Sequence, residues 1–69
     1  MENNYRERVL EILGEGSEKS TSEIASMISR DFYFTERLLD DMERDKLLIK
    51  TKLKNFTYWK LYDGKEIQN

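Results

Sequence analysis

The sequence predicts one small α+β domain in which three helices precede a β-hairpin. Three observations lead there. Apolar residues recur at helical spacing through the first two-thirds of the chain. From residue 47 the pattern changes to two short runs rich in β-branched, aromatic and aliphatic side chains, with Lys54-Asn55 between them. The length, 69 residues, allows a single modest core and no second domain.

The first helix is expected over 4–14. Tyr5, Val9, Ile12 and Leu13 share a face, with Leu10 beside it, and Glu7, Arg8, Glu11 and Glu15 take the wetter side. Gly14 and Gly16 end it, because glycine accepts the left-handed backbone that closes helices. The second helix, 20–29, opens on Ser20-Thr21-Ser22-Glu23, a capping box in which serine and glutamate satisfy each other's backbone amides. Ile24, Ala25 and Ile28 should face inward, with Met27 at the margin. Asp31 is the expected N-cap of a third helix over 32–45. Leu38, Leu39 and Met42 fall on one face around Thr35, and Tyr33, Arg37 and Arg44 on the other. Asp41 lies one turn from Arg37 and Asp40 one turn from Arg44, the spacing of ordinary helix ion pairs.

The hairpin is expected over 47–61. One parity, Ile49, Thr51, Leu53, Thr57, Trp59 and Leu61, should face the helices. The other, Leu48, Lys50, Lys52, Phe56, Tyr58 and Lys60, should face water because of its lysines. Asn55 suits the turn, Trp59 belongs to the core, and 62–69 reads as a loose polar tail. Ile24, Ile28, Leu39, Met42 and Leu47 are the positions expected to be mostly buried.

Composition narrows the chemistry. The chain has no cysteine and no histidine, so a disulfide framework, a thiolate or imidazole metal site and the commonest general base are all missing. Adjacent acids such as Asp40-Asp41 diverge by about 100° on a helix and do not converge on a reacting atom. No glycine-rich phosphate loop is present either. An enzyme, a bound metal and a cofactor are therefore not expected. No apolar run approaches the roughly 20 residues of a membrane span. Glu2, Arg6, Glu7 and Arg8 break up any signal-peptide core, and the expected location is the cytoplasm. Charge is distributed unevenly. Residues 1–45 carry twelve acids and six bases, whereas residues 46–60 carry five lysines and no acid. The positive charge sits in the hairpin.

Two short helices followed by a hairpin, from Thr21 to Leu61, resemble a winged helix-turn-helix. Ile24, Ile28, Leu38, Leu39, Met42 and Leu47 match that family's hidden positions in spacing. Ser29 and Lys46 stand where the family commonly has glycine. The resemblance also suggests a very short strand near 19–21, which the residues themselves leave open.

The resemblance implies a small transcription regulator that binds double-stranded DNA, its third helix in the major groove and its wing on the backbone. The contacts it implies are Phe32, Tyr33, Arg37 and Arg44 on that helix, and Lys50, Lys52, Lys54 and Lys60 on the wing. A homodimer spanning two half-sites would fit. The ending Tyr58-Trp59-Lys60-Leu61 is similar to the branch that binds left-handed DNA. The Asn and Tyr of that branch's recognition helix are Glu36 and Asp40 here, so its specific activity is not carried over. The third helix is also acidic, with five acids against two arginines over 33–45. The alternative reading is a protein-interaction module that uses this acidic surface and its exposed aromatics, with the wing lysines as a solvated strand edge.

Overall fold

The computed structural model describes residues 2–63. It is a small α+β domain with three α-helices and a three-stranded antiparallel sheet. Helix α1 (Glu2–Ile12) leads through a 3-10 turn (Gly14–Gly16) to strand β1 (Lys19–Ser20). Helices α2 (Thr21–Ile28) and α3 (Phe32–Arg44) follow, then strands β2 (Leu48–Leu53) and β3 (Phe56–Leu61). The sheet order is β1-β3-β2, so the brief β1 pairs with β3, Lys19 opposite Trp59 and Ser20 opposite Tyr58. Helix α1 begins two residues before the expected start and stops at Ile12, because the 3-10 turn, closed by Gly16 at φ 82°, takes over residues 14–16.

Local signals account for the helix ends. The Glu23 amide donates to Ser20 Oγ at 3.2 Å and the Ser20 amide to Glu23 Oε1 at 2.9 Å, closing the capping box. Asp31 accepts from the Phe34 amide at 3.1 Å and starts α3. Both helices end on a left-handed residue that is not glycine, Ser29 at φ 60° and Lys46 at φ 65°. The chain then doubles back: after α2, Ser29 N–H donates to Ser26 O and Arg30 N–H to Ala25 O, and after α3, Lys46 N–H donates to Glu43 O and Leu47 N–H to Met42 O. These are the paired bonds of a Schellman ending.

The core comprises Val9, Leu13, Ile24, Ile28, Leu38, Leu39, Met42, Leu48 and Trp59. Leu47, expected to be buried, is only half-buried, and its neighbour Leu48 takes the core position. The cause is the hairpin register. Leu53 pairs with Phe56 across a two-residue turn, so every odd residue of β2 lies opposite an even residue of β3. Leu48, Lys50 and Lys52 therefore share the helix-facing side with Thr57, Trp59 and Leu61. The expected inward residues Ile49, Thr51 and Leu53 face outward with Phe56, Tyr58 and Lys60.

The one tryptophan is 1% exposed, and its Nε1–H donates to Thr21 Oγ1 at 2.7 Å, joining β3 to the start of α2. Arg30 covers the opposite corner. Its guanidinium lies 3.7 Å from the Phe34 ring centroid and donates to Tyr5 Oη at 3.1 Å, linking α1 to α3. Of the expected tail, Tyr62 is tied in, its N–H donating to Leu47 O at 2.9 Å; residues 64–69 lie outside the described residues. Among the described residues no helix is long and apolar enough to cross a membrane.

Candidate nucleic-acid interface

Helix α3 turns Thr35, Leu38, Leu39 and Met42 into the core, which fixes what it offers to solvent. Tyr33 stands at the centre of the open face, 74% exposed, with Phe32 beside it at 43% and the two rings edge to face at 6.0 Å. Arg37 lies one turn along. It makes no ion pair or hydrogen bond with any described residue and is free to meet a ligand. It lines a shallow cleft of about 480 Å³ together with Tyr33, Asp41 and, from α1, Arg6.

The expected ion pairs rearrange. Arg44 bonds to Asp41 at 2.8 Å, three residues away, in place of Asp40. Asp40 faces β2, where Lys50 Nζ sits 3.1 Å from its Oδ1. That oxygen is shut off from solvent and has no aligned hydrogen-bond donor, so the ammonium meets it as a charge. Lys50 Nζ also lies 5.3 Å from the centroid of the Trp59 ring, its cross-strand partner. The hairpin register explains this position: it sends Lys50 toward the helices, and its charge is already engaged there.

The remaining wing lysines differ from one another. Lys52 and Lys54 are exposed near the tip, and neither pairs with an acid among the described residues. Lys60 is half-buried on the outer face, opposite Ile49. The turn itself departs from expectation. Lys54, and not Asn55, adopts the positive φ, at 55°. Lys46 is a cation that sequence reasoning left out. Its left-handed position exposes it at the junction of α3 and β2, in a second shallow cleft shared with Arg44 and Lys50. The signal that could have found it is its place directly after the last turn of an amphipathic helix.

These cations share α3 and its junction with acids. Glu36, Asp40 and Glu43 recur at helical spacing along one side of α3. Asp40 and Glu43 both border β2, through the Lys50 pair and the second cleft. The side of α3 that meets β2 is thus acidic, while Arg37 lines the cleft toward α1. Among the described residues no group of three or more acids gathers in a way that could hold a metal ion. The arrangement offers charge-assisted hydrogen bonds from exposed lysines, the Arg37 guanidinium, which has no acid partner among the described residues, and exposed aromatic rings. Comparison with protein-family models, curated proteins and solved structures finds no match for this chain.

Proposed function

We propose that the chain is a winged helix-turn-helix that binds double-stranded DNA in the manner of small transcription regulators, with the hairpin leading. The observation that carries this reading is the lysine supply of the wing. Residues 46–60 hold five lysines and no acid, and Lys52 and Lys54 are exposed without acidic partners among the described residues. Such side chains suit phosphate oxygens, which set register and orientation on a duplex. Arg37 then becomes the candidate base reader, because its fork can take guanine O6 and N7 together. The acidic row keeps the rest of α3 from lying flat on phosphates. Affinity therefore rests on the wing, and sequence preference on very few side chains. A binding titration on duplex DNA across a range of salt tests the proposal, because phosphate contacts release counterions and make affinity fall as salt rises.

A second reading has its own observation. Phe32 and Tyr33 are large, adjacent and exposed at the start of α3, beside Glu36. A protein partner with an apolar, basic surface would cover them. In that case, replacing both by Ser should abolish capture of the partner in a pull-down while leaving the thermal melt nearly unchanged. Undiminished capture by the double variant would remove this reading.

A further inference from the structure

The least expected feature of the surface is the tip of the hairpin. Leu53 and Phe56 face each other across the two-residue turn, 58% and 59% exposed. They project on the outer face of the sheet, which contributes nothing to the core. The Tyr58 ring stands behind Phe56, with centroids 6.4 Å apart, and holds it from the strand side. Lys54 lies between Leu53 and Phe56 in the turn and Lys52 precedes Leu53 on the opposite face of the strand, and both lysines are exposed.

A phosphate contact needs the lysines but gains nothing from a leucine and a phenylalanine at the point of closest approach. The end of a two-stranded ribbon also offers far less area than a stable protein interface, which buries about 1,200–2,000 Å². Leu53 and Phe56 match in size a single base step, and the exposed Lys52 and Lys54 beside them in the chain suit the phosphates near it. We infer that the wing tip is an apolar wedge that enters the minor groove of duplex DNA and partly unstacks one base step, with Lys52 and Lys54 on nearby phosphates.

The inference rests on the DNA-binding reading above and specifies the mode of contact. Apolar wedges of this kind kink the duplex toward the major groove. Pyrimidine–purine steps yield most easily, so a TA step is the preferred point of entry and a stiff A-tract a poor one. Phe56 forms the blade, backed by Tyr58. Leu53 fills the space beside it, and the lysines reach nearby phosphates.

The test compares the full chain with the double variant Leu53→Ser and Phe56→Ser on two duplexes, one centred on a TA step and one on an A-tract. Affinity is read by fluorescence anisotropy and bending by energy transfer between dyes at the duplex ends. Both replaced side chains are exposed, so the variant should melt like the parent. The parent should prefer the TA duplex and bend it by about 20–90°. The variant should lose the bend and the preference, bind the TA duplex about tenfold more weakly, and keep the parent's salt slope, since its phosphate contacts are intact. Binding without bending, or a variant that bends DNA as the parent does, overturns the wedge and leaves the DNA reading standing. An absence of binding to either duplex at low salt overturns both. If the parent instead sediments with phosphatidylserine vesicles, the variant does not, and DNA bending is the same for both, the tip belongs to a lipid surface and the wedge is overturned.

Discussion

Trp59 illustrates how much a single residue decides in a domain of this size. It is the largest fully buried side chain, and its indole N–H would be stranded without an acceptor. Thr21 supplies that acceptor from the first turn of α2, itself only 4% exposed. Replacing Thr21 by Val preserves shape and removes the oxygen, leaving a buried donor unsatisfied at a cost of about 1–3 kcal/mol. In urea denaturation followed by Trp59 fluorescence, the midpoint should move clearly downward. An unchanged midpoint would mean that the bond carries no net stability. The sequence placed Trp59 in the core but gave no sign of its partner, because the two residues stand 38 positions apart. Lys50 has the same lesson for function. On sequence it is one more wing lysine, and only the register turns it onto Trp59 and Asp40.

Among the elements, the helices were far easier to read than the hairpin. Capping boxes, N-caps and apolar spacing act within a few residues, so Ser20, Glu23, Asp31 and the inward faces of α2 and α3 are visible in the chain itself. Ser29 and Lys46 are legible for the same reason: a helix that must end there needs a left-handed residue whatever its type. A hairpin depends on pairing. With two residues in the turn, odd positions of one strand must oppose even positions of the other, and alternation judged strand by strand overlooks that constraint. The turn also sets up an opposition between stability and binding. Ser29 and Lys54 both hold positive φ, a conformation that costs a residue with a side chain about 1–2 kcal/mol. Ser29→Gly should raise the melting temperature and leave DNA binding unchanged. Lys54→Gly should raise it similarly while weakening DNA binding, because it also removes a wing cation. Calorimetry with a parallel binding titration checks both variants. If Lys54→Gly binds DNA as tightly as the parent, Lys54 does not contact phosphate.

At the scale of the whole molecule the question is how a chain with net charge −2 holds a polyanion. Twelve of its acids precede residue 46, whereas residues 46–60 hold five lysines and no acid, so orientation must do what net charge does not. The arrangement of elements was legible in the sequence, whereas the meeting of Asp40 and Glu43 with β2 was not, because it depends on how α3 is rotated against that strand. The most direct measurement is a duplex-DNA titration over a range of salt for the parent, the Lys52→Gln and Lys54→Gln double variant, and Arg37→Ala. The lysine variant should weaken binding to all sequences alike and flatten the salt slope by about two. Arg37→Ala should cost about 1–3 kcal/mol at the preferred sequence and blur that preference. No binding at low salt, or binding indifferent to both the lysine pair and Arg37, would contradict a wing-led DNA-binding domain.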